Sequence, residues 1–413
     1  MSQSVVPVHL EEAKVPFLDL DDDAYIQDPF DYVERIRTAD SLRGRVLRSS
    51  RGVEILDYTI GRDFLSDARL VPVGPERFRE MGAGPLLMQY LTEGKLTALP
   101  DEKHREHRRV LVTPFSTRAV ERDRAAYERI AHELVNDFVE AGECDFVSAF
   151  SHVYPIRVLC HALGIGPAGA SYVERITLDI ALMNAFPLAH YAARVEAALA
   201  DLSAFTERLL NDRQREPTDD FITRLLGYVE EGKLTRAEIV WTMVTLLQAA
   251  HYTTRNQTTS IMRALVEAGL WEEVARDPSL VPAAVEEGLR HYPVVMAITR
   301  VAIDEVVIEG IAIPSGTVVR FNMLGAVRDG ERFHDPNTFD LSREIGERIP
   351  FGFGRHRCLG QHMARADMEV ATEVATQRLR DVRIARPPRM AAIGSVWGPE
   401  TLELEFTPGA RVY

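Results

Sequence analysis

Cys358 stands in the stretch Phe351-Gly-Phe-Gly-Arg-His-Arg-Cys-Leu-Gly360, where glycines clear a loop and a helix-forming run follows. From Leu359 to Arg378 the chain has no proline and is rich in Ala, Met, Glu, Gln and Arg, so a helix is expected there. A thiol at a helix N-terminus meets unpaired N–H groups and the positive end of the helix dipole, which favour the ionised, metal-ligating form. Gly352, Gly354 and Gly360 remove side chains and let the backbone lie close to a flat partner. Two other readings compete. A lone cysteine is commonly inert packing, the default for Cys144 and Cys160. His356, Cys358 and His362 could share a zinc site, but no CxxC or HxxxH completes the usual four ligands. No phosphate loop of the GxxxxGK[ST] type is present.

The segment resembles the haem-binding loop of the cytochrome P450 superfamily, whose order of Phe, Gly, Gly, His or Arg, Cys and Gly is met by Phe351, Gly352, Gly354, His356, Cys358 and Gly360. Ala364 and Arg365 follow as the family's helix continues. Glu287-Gly-Leu-Arg290, with Tyr292-Pro293 after it, matches the family's ExxR signature, its glutamate 71 residues ahead of Cys358. At i,i+3 the two charges share a helix face and can form a charge-assisted pair. By resemblance that pair is structural.

The resemblance implies haem b (iron protoporphyrin IX) with Cys358 as the metal ligand. His104, Arg108, Arg300 and His356 match the positions that bind its two carboxylates, for which Arg and protonated His are natural complements. It further implies a monooxygenase that uses O2, with electrons from a ferredoxin and its reductase. Arg105, Arg109, Arg355, Arg357 and Arg365 would form a basic docking patch on a chain of net charge −14. The same net charge argues against nucleic acid.

The family's oxygen-site motif is altered here. Ala249-Ala250-His251-Tyr252-Thr253-Thr254 keeps the hydroxyl of Thr253, while Tyr252 replaces the usual acid and Ala250 the usual glycine. A phenol relays protons poorly at neutral pH. Thr253, Tyr252 and His251 are therefore the candidate catalytic residues, with Ala249 and Ala250 against the cofactor. The alternatives are ordinary hydroxylation, an atypical chemistry (peroxide-driven oxidation, ring coupling or nitration), and a haem or metal protein without turnover. By family position the pocket includes the loop around Leu86 to Leu96 together with Leu246, Ala250, Val294, Val295, Ile298, Met183, Val396 and Trp397. Such a lining implies a largely hydrophobic small molecule and does not choose among its classes.

These residues need a mainly helical frame with a small β-sheet region and a long central helix over the haem. Thr235-x-x-Glu238 is a capping box, and residues 236 to 268 contain no glycine or proline, enough for a helix of roughly 50 Å. Asp28-Pro29 opens a short helix with Phe30, Val33 and Ile36 on one face. Val306 to Ile308, Ile311 to Ile313 and Val318 to Phe321 are expected to make one small hairpin sheet, with another strand pair at Thr401 to Phe406. Residues 1–15 are expected to be a loose tail and 16–413 a single domain, because no linker or repeat divides the 413 residues. The longest uncharged run, Ile239 to Thr254, is too short to span a membrane. With three scattered cysteines, a soluble, cytoplasmic monomer is expected.

Overall fold

The computed structural model describes residues 7–39, 45–346 and 349–412. Its helices of consequence are α1 (Pro29–Ala39), α2 (Pro85–Glu93), α3 (Asp101–Leu111), α4 (Thr117–Asn136), α5 (Tyr154–Leu163), α6 (Pro167–Ala181), α7 (Ala192–Arg215), α8 (Phe221–Glu230), α9 (Arg236–Glu267), α10 (Val281–His291) and α11 (Gln361–Arg378). Their largest shared core contains Tyr127, Phe146, Phe150, Tyr154, Leu247, Met262, Val285 and Val370. Among the described residues no helix is long and apolar enough to cross a membrane.

α9 carries the expected capping box: the Thr235 side chain accepts from the Glu238 N–H at 3.2 Å, and Glu238 accepts from the Thr235 N–H at 2.9 Å. Its 32 residues are buried on most sides, including the polar run from Asn256 to Ser260. Buried polar groups need partners. Gln257 donates to the carbonyls of Gly288 and Tyr292 and accepts from Val294 N–H, which ties α9 to α10 and the strand beyond it. On another face His251, fully buried, joins α9 to two neighbours. Its Nε2 lies 2.6 Å from the His152 carbonyl and its Nδ1 2.6 Å from Thr177 Oγ1 on α6. A carbonyl can only accept, so Nε2 carries the proton and Nδ1 accepts from the threonine hydroxyl.

The strands form four sheets. β1 (Val8–His9), β9 (Ile311–Ile313) and β8 (Val306–Ile308) make one, with β1 parallel to β9. The six-stranded sheet runs β2 (Phe17–Leu18), β3 (Val46–Ser49), β4 (Gly52–Ile55), β10 (Val318–Asn322), β7 (Ala297–Ala302), β5 (Leu70–Val71). β11 (Arg380–Ile384), β14 (Glu403–Thr407) and β6 (Glu143–Asp145) form a third, and β12 (Met390–Ile393) pairs with β13 (Val396–Pro399).

Three expectations need correction. Val318 to Phe321 leaves the β8–β9 hairpin and joins the larger sheet, parallel to β4 and antiparallel to β7. There Arg320 and Glu54 are register partners, buried and paired at 2.6 Å, with Asn322 donating to the same carboxylate. Of the loose tail, Val8–His9 is a strand, and Leu10 and Ala13 are buried; residues 1–6 lie outside the described residues. Thr401 to Phe406 supplies one strand, whose partners are β11 and the distant β6.

Glu287 and Arg290 are both 1% exposed and joined by two hydrogen bonds of 2.6 and 2.7 Å. Arg290 also donates to the carbonyls of Val327, Pro336 and Thr338, while Glu287 accepts from Asp340 N–H and Arg343. The pair thus clamps α10 to the segment that leads into the cysteine loop.

Removing one partner strands the other charge, so Arg290→Ala is expected to cost about 3–5 kcal/mol in denaturant unfolding; a loss below about 1 kcal/mol would show that the clamp is dispensable. His251 yields a second expectation. Burial first, then the nearby His152 and Arg255, push its pKa down from 6.5 to about 3. The unfolded chain therefore takes up a proton that the folded one refuses between those values, and stability falls as pH drops from 6.5 toward 3. His291, depressed to about 2, acts in the same direction. His251→Gln should flatten this limb by up to one proton's worth, about 1.4 kcal/mol per pH unit, relative to wild type.

Candidate active site

The cysteine loop is built by backbone conformation. Gly352 and Gly354 sit at φ +70° and +64°, in the left-handed region. A Cβ at Gly352 would come near only Ile298, at 3.7 Å, so the conformation and not a clash within the protein calls for glycine. Cys358 N–H donates to the Phe351 carbonyl at 2.8 Å, closing the loop, and Gly360 stands at the N-cap of α11. Arg365 stacks over Phe351 at 4.3 Å and pairs with Glu286 of α10 at 2.5 Å. That arginine is 8% exposed, which removes it from the expected docking patch. Arg105, Arg109, Arg355 and Arg357 remain at the surface.

The thiol faces a cavity of about 450 Å³ between the loop, α9 and α11. Its pKa departs from the sequence expectation. Burial raises it, outweighing the Gly360 N–H and the charges of Arg108, Arg365 and Arg357. A metal cation at the sulfur works in the opposite direction and deprotonates a coordinating thiol.

Phe351, Gly352, His356 and Gly360 line the cavity with Cys358, and so do His104 and Arg108 from α3 and Arg300 from β7. The His104 and His356 rings are 4.6 Å apart. His104 Nδ1 and both nitrogens of His356 are buried without a hydrogen-bond partner among the described residues. Burial, then His104 and Arg300, lowers the His356 pKa to about 4; burial, then Arg355, lowers that of Arg300 to about 10. A wall of two guanidinium groups and two histidines with unused ring nitrogens lacks a negative partner. Two carboxylates on a flat group reaching the thiol would supply it, so these residues fit haem. Among the described residues no three His, Cys, Asp or Glu side chains are grouped to hold a metal ion, which leaves the zinc reading without ligands.

From α9 the cavity receives Leu246, Ala249, Ala250, Thr253, Thr254 and Gln257, one face at spacings of three and four. Thr253 Oγ1 donates to the Ala249 carbonyl at 2.9 Å. His251 and Tyr252 do not line the cavity, which corrects their expected place in a proton relay. His251 is spent on Thr177 and His152. The Tyr252 ring lies beneath the Arg255 guanidinium, and burial raises its pKa. Ala250, Thr253, Thr254 and Gln257 set the direction of the cavity face, and at about 100° per residue His251 and Tyr252 fall more than 100° to either side of it.

Val294, Val295 and Ile298 line the cavity as expected; Met183, Val396 and Trp397 do not. Met183 packs into the main core. Trp397 donates to the Ile26 carbonyl and meets Phe30 edge-on, while Val396 pairs with Ile393. Of the Leu86 to Leu96 segment only Tyr90, Lys95 and Leu96 reach the cavity. Lys95 falls within the expected Leu86 to Leu96 loop, though nothing in the sequence singles it out, and Asp367 was not expected at all. Among the described residues Asp367 is the cavity's one carboxyl side chain; it is 4% exposed, its Oδ1 without a partner there, and burial raises its pKa well above normal. An aspartate on the apolar face Met363, Ala366, Val370 was the available signal.

Comparison with known proteins agrees with this site. The family model Cytochrome P450 matches residues 276–381. Cytochrome P450 107B1 of Saccharopolyspora erythraea is 30% identical over 390 residues, covering 91% of this chain and 93% of its own. Mycinamicin IV hydroxylase/epoxidase of Micromonospora griseorubida is 31% identical over 338 residues, 80% and 82% of the two chains. Among solved structures CalO2 superposes with a TM-score of 0.85 at 25% identity, over 96% of this chain and all of that one. The thiol, the cationic wall and these relatives establish that the chain belongs to the cytochrome P450 superfamily and is a haem-dependent monooxygenase.

Proposed function

We propose that this monooxygenase inserts one oxygen atom from O2 into a largely hydrophobic small molecule, with haem b as its prosthetic group and a ferredoxin, served by a reductase, as its electron donor. The observation that carries the reading is the convergence of Cys358, the Arg108 and Arg300 guanidiniums with the unpartnered nitrogens of His104 and His356, and the Thr253 face of α9 on one cavity. When bound, the haem supplies O2 activation, which thiolate ligation favours by pushing electron density toward O–O cleavage. The chain does the rest. Cys358 would hold the metal; His104, Arg108, Arg300 and His356 would hold the carboxylates. Apolar Leu246, Ala250, Val294, Val295 and Ile298 surround the substrate and exclude bulk water. Thr253 Oγ1 carries a proton on the cavity face and can turn it from the Ala249 carbonyl to an acceptor in the cavity.

Exposed Arg105, Arg109 and Arg357, with Arg355 paired to Asp101, support docking of an acidic electron carrier on a protein that is otherwise negative. The relatives' names cover hydroxylation, epoxidation and N-oxygenation, so the family relationship leaves the oxidised atom open. The altered residue Tyr252 lies off the cavity, and this favours ordinary oxygen insertion over the atypical chemistries that its position suggested.

The purified protein, reduced under carbon monoxide, is expected to show the strongly red-shifted Soret band of thiolate-ligated haem, and Cys358→Ser to lose it. A wild-type protein without that band would overturn the reading. Thr253→Ala should cut product formation on the order of 100-fold while reductant is still consumed. Tyr252→Phe should leave the product per reductant unchanged; a comparable fall there would return Tyr252 to the relay.

A further inference from the structure

The chain has four lysines, at 14, 95, 103 and 233. Lys103 and Lys233 pair with Glu238 and Glu231 at the surface. Lys95 instead lines the cavity, with Nζ 4.6 Å from the centroid of the Phe78 ring, and it forms no ion pair with an acid among the described residues. An aromatic face offsets only part of the cost of enclosing an ammonium. Burial accordingly lowers its pKa to about 8, with no opposing acid.

Its position separates it from the cationic wall. Lys95 follows the C-cap of α2, where the Gly94 carbonyl accepts from Thr245 Oγ1 at 2.9 Å and a Cβ on Gly94 would strike Trp241. It therefore sits beside the 241–245 turn of α9. Thr253 is eight residues further along, roughly 12 Å at 1.5 Å per residue. Leu246, Ala249 and Ala250 line the interval together with one polar side chain, Gln248. The two haem carboxylates already face His104, Arg108, Arg300 and His356, so the ammonium of Lys95 is surplus to them.

We propose that Lys95 is a substrate-selecting residue, and that the cavity takes molecules with a carboxylate at one end of an apolar body whose oxidised carbon lies on the order of 10 Å away. This rests on the monooxygenase reading and names the substrate class of the same site. The carboxylate completes an ion pair that the empty protein lacks, and the apolar body covers the face between Lys95 and Thr253.

The test compares dodecanoate with methyl dodecanoate, two probes of equal apolar length, by the haem spin-state shift of the holoenzyme. Wild type is expected to bind the acid at least tenfold more tightly than the ester. Lys95→Met should weaken acid binding tenfold or more and leave the ester within threefold, with haem content and the carbon monoxide spectrum unchanged. Equal affinity for both probes, binding of neither, or equal weakening of both by the substitution would overturn the proposal. Loss of haem from Lys95→Met would overturn it too, by assigning the lysine to a haem carboxylate. Should that variant fail to fold, Lys95→Gln replaces it, and the wild-type ratio of acid to ester decides by itself. A wild-type protein without the thiolate-type spectrum refutes the function; one with that spectrum and no preference for the acid refutes only the substrate class.

Discussion

The Arg290 guanidinium, held without solvent by the Glu287 carboxylate and three backbone carbonyls, is the interaction on which the rest of the site depends. Glu287 shares α10 with it, whereas the carbonyls come from the mostly irregular chain between β10 and the cysteine loop. The carbonyls of Val327, Pro336 and Thr338 have no ladder to satisfy them, and a single planar cation collects all three. Asp340 and Arg343 then close on the carboxylate from the same stretch. A loop fixed in this way can present Phe351 to Cys358 at a set place against α10 and α11. Arg365 repeats the device closer to the thiol, between Glu286 and the Phe351 ring.

Around the cavity the chain spends charge unevenly. One wall concentrates His104, Arg108, Arg300 and His356, where burial first and then neighbouring basic groups disfavour protonation, and where ring nitrogens stay unpaired among the described residues. Such a wall is unfavourable in isolation and becomes favourable when an anion completes it, so folding and cofactor loading are linked. α9 presents Leu246, Ala249 and Ala250 to the cavity beside Thr245, Gln248, Thr253, Thr254 and Gln257, while His251 and Gln257 also brace the helix against the turn at His152, α6 and α10.

Local signals carried much of this. The cysteine loop, the Glu287 and Arg290 spacing and the capping box at Thr235 each act within a few residues, so spacing alone conveys them. The strands were read less well. Glu54 and Arg320 look like solvent-facing residues until a parallel pairing 266 positions apart buries both as one ion pair. Cys144 belongs to β6, which joins β14 across the chain and leaves no mark in local periodicity. Trp397 resembles a pocket residue by position, yet its indole N–H is drawn to the Ile26 carbonyl on the other side of the sheet pair.

Residue type and spacing therefore pointed to one thiol as the ligand of a metal and to a mainly helical frame, since ligand identity and helix periodicity are local properties. Tertiary structure decided which neighbours of Thr253 share its face, because a rotation of about 100° per residue sends His251 and Tyr252 into helix contacts while Thr253 looks into the cavity. It also placed Lys95, an unexceptional lysine after a glycine, half-buried on the cavity wall without an acidic partner among the described residues. Enclosure depends on every element that surrounds a group, and no stretch of sequence contains them all.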